Sequence, residues 1–579
     1  MDNTAKDSDV SIKNTDEDSE ALYDDPPVTI SEKAILFFTS SWRGLITIIV
    51  PLILIPILTP FPPEKYQWCA YTLMLMAIFW VTECIPLPVT SFLPILIFPM
   101  FGVMDTAKTC RCYMNDTIIM FLGSMMLAAA VEQSGLHKRL ALWTIRAIGL
   151  SHYKLLFAIS FITMFVSMWI TNTAATTMMV PINSALLKVF EDQNSLKMYE
   201  PNKNGDMVAT DLSSCYFCAI TFSATIGGIG TLVGTATNLV FKGLFSRAFP
   251  LAPEYLSFPK FSAFSVPYML LMEIAMYFYL IIVYFGFLRS NSQAAKDSVI
   301  TPESIEAAKK TVDNDWVNLG KVTFWEYMVI ILFGGAMVLF FARSPQIFQG
   351  WGDKIISYFG IKNNKFIGDS VPAMLVCTLM LLLPSNLNIF KNFRAKSYGD
   401  LTKAPISSVL NWKIVNDTLP YSFMFLLGGG FALSEAAKEE YSDLNGRIGD
   451  VLQNLKTLPN SFIIFLIITF TIFITNFASN VVVCNVLAPI AMQLAKQVKV
   501  NPLWYNIAAG FSASYCFCLP VGTPGNLIVQ GAADIPTSKM MKAGIGPTIS
   551  TLILTWFAIY FWAPVIWPDL HEYPSWIGS

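Results

Sequence analysis

Apolar runs close to the roughly 20 residues that cross a bilayer recur along this chain. They include Leu45–Leu58, Trp68–Val81, Leu155–Ile170, Phe264–Phe287, Tyr327–Phe341, Met374–Leu383, Phe462–Ile474 and Ile549–Trp562. In lipid no water pairs with the backbone, so every such run must satisfy its own N–H and C=O groups, as a helix does. Composition agrees: 54% of residues are hydrophobic and 13% are charged, against about 25% charged in a soluble domain. The expected fold is an all-α polytopic membrane protein.

The net charge of -2 sums over loops on both sides of a membrane and excludes only a basic nucleic-acid surface. Residues 1–40 open with a polar stretch rich in acids (Asp7, Asp9, Asp16, Glu17, Asp18) and are expected to be a disordered cytosolic tail, since no signal peptide opens the chain. Most cysteines sit in apolar segments. Cys215-x-x-Cys218 has metal-like spacing, but no second pair lies nearby and the chain has only three histidines. The expected role is that of buried, inert thiols.

Two apolar blocks, 41–288 and 324–570, flank a polar stretch at 289–323, with a short tail at 571–579. The stretch carries Lys296, Lys309, Lys310 and Lys321 and is expected to be a cytosolic linker with a short helix near Pro302–Val312. A second basic patch is Lys391, Arg394 and Lys396. The blocks repeat each other. Ser167-Met-Trp-Ile-Thr-Asn172, with Pro181 following, aligns without a gap on Thr475-Asn-Phe-Ala-Ser-Asn480, with Pro489 following. Val233-Gly-Thr-Ala-Thr-Asn238 aligns on Val521-Gly-Thr-Pro-Gly-Asn526, and Asn115-Asp-Thr117 on Asn416-Asp-Thr418. Apolar helices resemble one another in composition, but that does not match Asn, Gly, Thr and Pro positions in order. Two-fold repeats with a site near their interface are the build of secondary transporters.

Thr171-Asn172-Thr173 and Ser479-Asn480-Val481 lie where long apolar runs meet small polar residues. Non-helical backbone at membrane depth survives only when buried or lining a cavity. A helix broken there offers N–H groups and a positive dipole end to an anion, and carbonyls to a small cation. One such triplet could simply tie helices together. Two, each followed by a Gly-Thr-x-x-Asn loop, argue for a site. Gly227-Gly-x-Gly lacks the lysine and strand–helix context of a phosphate loop. Glu83, Asp116, Glu132, Asp417 and Glu435 border apolar runs. Asp116 and Asp417 are expected to cap helices, and Glu83 to be a hydrogen-bond hub in a turn. His137, His152 and His571 form no catalytic constellation, so an enzyme is not expected. Asn115 and Asn416 are formal glycosylation acceptors, but glycosylation of both is not expected.

Trp80-x-Thr82-Glu83-x-Ile85-Pro86-Leu87-Pro88-Val89-Thr90, continuing to Pro94, Pro99 and Gly102, resembles the divalent anion/sodium symporter family. The paired triplets are similar to its Ser-Asn-Thr signatures and Val-Gly-Thr-x-x-Asn to its helix-break loops. The resemblance spans about residues 40 to 570 and is nearest to the INDY-type di- and tricarboxylate transporters. It implies a homodimer of inverted repeats, about eleven spans plus two re-entrant hairpins entering near Asp116 and Asp417. It also implies a scaffold domain and a transport domain that moves as an elevator. By position, Thr171, Asn172, Thr173, Thr235, Ser479, Asn480, Val481, Thr523 and Pro524 would face the substrate. Sodium sites would fall on Ser167, Asn172 and Gly234, and on Thr475, Asn480 and Gly522.

Some residues depart from the family pattern. Val481 lacks the expected hydroxyl, Val482-Val483-Cys484 replaces a small hydroxylated stretch, and Asn476 stands where an acid is common. Ala236, Thr237 and Gly525 stand where prolines are usual. The expectation is carriage of citrate, succinate and related anions with weak or absent sodium dependence, by exchange or with a proton, in the plasma membrane with the N-terminus cytosolic. Beyond sodium or a proton no cofactor is expected. The alternatives are a sodium-coupled carboxylate symporter and a sulfate or other inorganic anion carrier. A channel is disfavoured by two unequal halves.

Overall fold

The computed structural model describes residues 30–202, 205–288, 301–361, 365–393, 397, 401, 405–451 and 457–577. Residues 1–29 of the acidic tail, Lys296, Arg394 and Lys396 lie outside the described residues. Among those described, strand structure amounts to one short antiparallel pair, Tyr199–Pro201 with Met207–Ala209, and an isolated bridge. The rest of the regular structure is helical. Six helices are long and apolar enough to cross a membrane and five shorter ones are apolar. Their outer faces are apolar as well: Ile545, Ile549, Ile553, Phe557, Phe561 and Val565 form an exposed stripe, one residue per turn. In water such a stripe would drive association, whereas hydrocarbon is its natural solvent. The protein is an all-α polytopic membrane protein.

The same series of elements occurs twice. A helix (Asp116–Ser134; Ser422–Ala436) is followed by an amphipathic segment, then by two helices joined through a four-residue turn. These pairs are His152–Ser167 with Asn172–Asp192, and Asn460–Thr475 with Asn480–Val498. A broken helix comes next (Asp211–Gly228 and Ala236–Ala248; Pro502–Ser512 and Pro524–Ala533), then a long one (Phe258–Tyr284; Thr537–Phe557).

Each break is stabilised by the asparagine of its Gly-Thr loop. Asn238 Nδ2 donates to the carbonyls of Gly228 (2.9 Å) and Thr231 (2.7 Å), and Asn526 Nδ2 to those of Cys516 (3.1 Å) and Leu519 (2.9 Å). Carbonyls freed where the upstream helix stops are thereby satisfied without water. Close approach needs glycine: a Cβ on Gly227 would lie 2.1 Å from the Met164 carbonyl oxygen.

Three expectations change. Both turn-linked helix pairs lie well past Asp116 and Asp417: Asp116 opens the helix Asp116–Ser134, and Asp417 lies in the short helix Trp412–Thr418. The cap of the first is Asn115, whose side chain accepts from Ile118 N (3.2 Å), while Asp116 takes the Ser370 hydroxyl. That role also occupies the Asn115 amide, which donates to the Cys112 carbonyl at 2.9 Å. Glu83 is exposed in a left-handed conformation (φ 48°). The turn is held instead by Trp80 Nε1, which donates to Ser91 Oγ at 3.1 Å.

The linker's expected helix runs Pro302–Asn318 and is capped by Thr301. Arg139 fastens its far end, donating to the carbonyls of Gly320 (2.8 Å) and Leu319 (3.2 Å) while pairing with Glu326 at 2.9 Å. Cys215 and Cys218 are fully buried free thiols.

Candidate functional site

Four helices begin at one place. Those starting at Asn172, Ala236, Asn480 and Pro524 run for 21, 13, 19 and 10 residues, and all four N-cap residues (Thr171, Thr235, Ser479 and Thr523) line a single cavity of about 470 Å3. That volume lies within the ~300–1,000 Å3 of small-molecule sites. Thr171 Oγ1 accepts from Ala174 N at 3.3 Å, but Thr235, Ser479 and Thr523 make no side-chain cap bond. Three of the four starts thus leave their first-turn N–H groups without a side-chain cap, and each helix adds its positive dipole end at the cavity wall. The Thr523 hydroxyl is buried without a hydrogen-bond partner among the described residues.

The nine positions assigned to substrate by resemblance, Thr171, Asn172, Thr173, Thr235, Ser479, Asn480, Val481, Thr523 and Pro524, all line this cavity, together with Gly234 and Gly522. Ser167 and Thr475 stand behind it in matching arrangements. Ser167 Oγ contacts Asn172 Oδ1 (2.9 Å) and the Ala224 carbonyl (2.7 Å), and Thr475 Oγ1 contacts Asn480 Oδ1 (2.9 Å) and the Ala513 carbonyl (2.7 Å).

Gly234 and Gly522 pack closely on neighbouring backbone, Gly522 also against the Cys516 thiol. A Cβ on Gly234 would lie 2.5 Å from Gly228 O, and one on Gly522 would lie 2.5 Å from Thr475 O. Hydroxyl, amide and peptide oxygens crowded around glycine suit a hard monovalent cation such as sodium, so these residues fit one. Asn476, at the position where an acid is common, accepts from Cys518 N at 3.2 Å and brings no charge.

The opposite wall was not legible in the sequence. Phe121, Met125 and Ala128 of the helix Asp116–Ser134 meet Leu419, Pro420 and Phe423 from the other half. Among the described residues, Glu132 is the one ionisable side chain in the lining. Glu273, a lone acid in an apolar run, is buried and accepts the Ser223 hydroxyl at 2.7 Å, on the helix whose Thr221 and Thr225 line the cavity. Its position inside the Phe264–Phe287 run was the available signal.

Residues 39–568 match the family described as "Sodium:sulfate symporter transmembrane region". The chain belongs to the divalent anion/sodium symporter family. It is 38% identical over 563 residues to "Protein I'm not dead yet" of Drosophila melanogaster, covering 95% of this chain and 93% of that protein. Human solute carrier family 13 member 2 is 32% identical (92% and 95% covered) and the rat Na(+)/citrate cotransporter 30% identical (92% and 96% covered). Among solved structures, the Alcanivorax borkumensis YdaH transporter aligns over 80% of this chain and 87% of its own with a TM-score of 0.50 and 15% identity, a likeness of fold. As a member of this family the chain is an integral membrane transporter, not an enzyme.

Proposed function

We propose that the protein is a secondary active transporter of citrate, succinate and related Krebs-cycle anions, working as a homodimer in the plasma membrane with its N-terminus in the cytosol. The carrying observation is the convergence of four helix N-termini on a cavity lined by threonine, serine and asparagine, without a Lys, Arg or His among the described residues. Such a site binds negative charge through oriented N–H groups and hydroxyls, which hold an anion firmly yet release it more readily than a buried cation would.

The two turn-linked pairs and broken helices form the moving body, which carries substrate past a scaffold of inverted-repeat helices as an elevator does. Sodium contributes weakly, because Val481 supplies no hydroxyl and Asn476 no negative charge. A hydrogen bond to a charged group is worth about 1.5–3 kcal/mol. Bound sodium would supply local positive charge beside the anion.

Sodium-coupled symport is the second reading. It is favoured by the matched Ser167–Asn172–Ala224 and Thr475–Asn480–Ala513 oxygen clusters.

Labelled-citrate uptake into proteoliposomes, with sodium, pH and voltage varied separately, tests both. Saturable uptake that persists when choline replaces sodium supports the first reading, and strong sodium dependence supports the second. Absence of citrate and succinate uptake under every condition, with saturable uptake of labelled sulfate that neither carboxylate inhibits, would overturn both in favour of an inorganic anion carrier.

A further inference from the structure

An acid at the edge of an anion site calls for a reason. Glu132 occupies the last turn of the helix Asp116–Ser134 and is exposed to the cavity, and its carboxylate is engaged by no hydrogen bond or ion pair among the described residues. It also lines a second cavity of about 720 Å3, and Ala174 and Thr177 are shared by the two spaces in the same way. Glu132 thus stands at the junction between the four helix N-termini and a chamber reaching the linker helix Pro302–Asn318. An anion passing between them meets this carboxylate.

Like charges repel strongly where water is scarce. Four N-termini draw an anion in, and an ionised Glu132 beside it would oppose them. Among the described residues, the lining of the first cavity offers no fixed compensation. His137 and Lys138 of the helix Leu136–Ile148, and Asp315 of the linker helix, line the second cavity but not the first. Arg139 is bound to Glu326 of the helix Phe324–Arg343. Lys242 and Arg247 of the helix Ala236–Ala248 are paired with Asp369 and Glu435, the latter on the helix Ser422–Ala436. Lys413 and Asp417 of the helix Trp412–Thr418 line neither cavity, and the helix Ser370–Leu382 carries no charge.

We propose that Glu132 is the proton-carrying residue of the substrate site. A proton from water adds to the Glu132 carboxylate as the carboxylate anion enters, the new O–H can donate to that anion, and the proton returns to water when the anion leaves. Binding of proton and anion is thereby mutually favourable, and by linkage each strengthens the other by the same factor. The inference rests on the reading that the cavity takes a carboxylate.

The test uses the purified full-length protein in sodium-free solution with succinate, at pH values where succinate is already fully ionised. One proton should be taken up per succinate bound in weakly buffered solution. Where free Glu132 is ionised, the Kd should weaken about tenfold per pH unit. E132Q, a neutral isostere, should lose both effects, and E132D should keep the proton uptake. Wild-type binding without proton uptake overturns the proposal even if E132Q does not fold. So does an E132Q protein that keeps the wild-type pH slope. Binding that needs sodium, takes up no proton, and loses its sodium requirement in E132Q would assign Glu132 to a cation and overturn the proton. If neither succinate nor citrate binds at any pH, with or without sodium, the carboxylate reading itself fails, and this proposal with it.

Discussion

Asn172 and Asn480 each do two things at once. Their side chains accept from a hydroxyl one turn back, and their backbones open a helix at the cavity wall. Replacing either with Ala removes the contact that ties turn to helix while leaving the surrounding apolar packing in place. Asn172→Ala and Asn480→Ala should each abolish citrate uptake in proteoliposomes while the protein still elutes as a folded species. Near-normal uptake in either would show that the paired asparagines do not hold the substrate. Thr523 gives the complementary case. Its hydroxyl is buried with nothing to bond to among the described residues, so it contributes little to folding. Thr523→Val should leave thermal stability unchanged or slightly raised, yet weaken carboxylate binding by about 1.5–3 kcal/mol. Calorimetric titration beside a thermal-unfolding scan reads both quantities.

Helix contacts divide the glycines into two kinds. Gly227 lets the helix Asp211–Gly228 lie against the Met164 carbonyl, where a Cβ would come within 2.1 Å of backbone that cannot move aside. Gly334 and Gly335, within the helix Phe324–Arg343, have nothing within 4 Å of an added Cβ. Gly227→Ala should therefore push the turn-linked pair away from the broken helix, at about 1–3 kcal/mol. Gly335→Ala should stabilise by about 0.5–1 kcal/mol, because alanine is the better helix former. Opposite shifts in the thermal midpoint of the two variants are the expected result.

Across the whole molecule, the helix that begins at the cavity loop, Ala236–Ala248, is locked to other elements by buried charge. Lys242 pairs with Asp369, and Asp369 pairs with Arg343 at 2.7 Å. Arg343 also bonds Glu254 and donates to the Ile367 carbonyl at 2.8 Å. Burial pushes the Asp369 carboxyl up, but Lys242 and Arg343 together outweigh it and hold the group below the usual carboxylate range. A carboxylate depressed by folding lends stability that is complete above about pH 4 and fades only as pH falls below that. Asp369→Asn should lose about 3–5 kcal/mol at neutral pH, by stranding Lys242 and leaving Arg343 with Glu254 as its one carboxylate among the described residues. Its stability should then change less than the wild type's on acidification. Thermal unfolding at pH 7 and pH 3.5 checks both parts.

Membrane class, two-fold repetition and the paired asparagine motifs were all legible along the chain. Each depends on local composition or on short motifs whose spacing a linear string preserves. Helix breaks at Gly234-Thr235 and Gly522-Thr523 were readable for the same reason, since glycine and asparagine announce them locally. Only the tertiary structure decided where the turn-linked pairs lie, that Asn115 rather than Asp116 caps its helix, and that Phe121 and Phe423 close the far wall. It also decided that Glu132 faces the anion space unpaired and that Ser167 and Thr475 bond their asparagines alike. The far wall, for one, joins residues about 300 positions apart. No local pattern encodes such contacts, because burial and partner are properties of packing rather than of the chain.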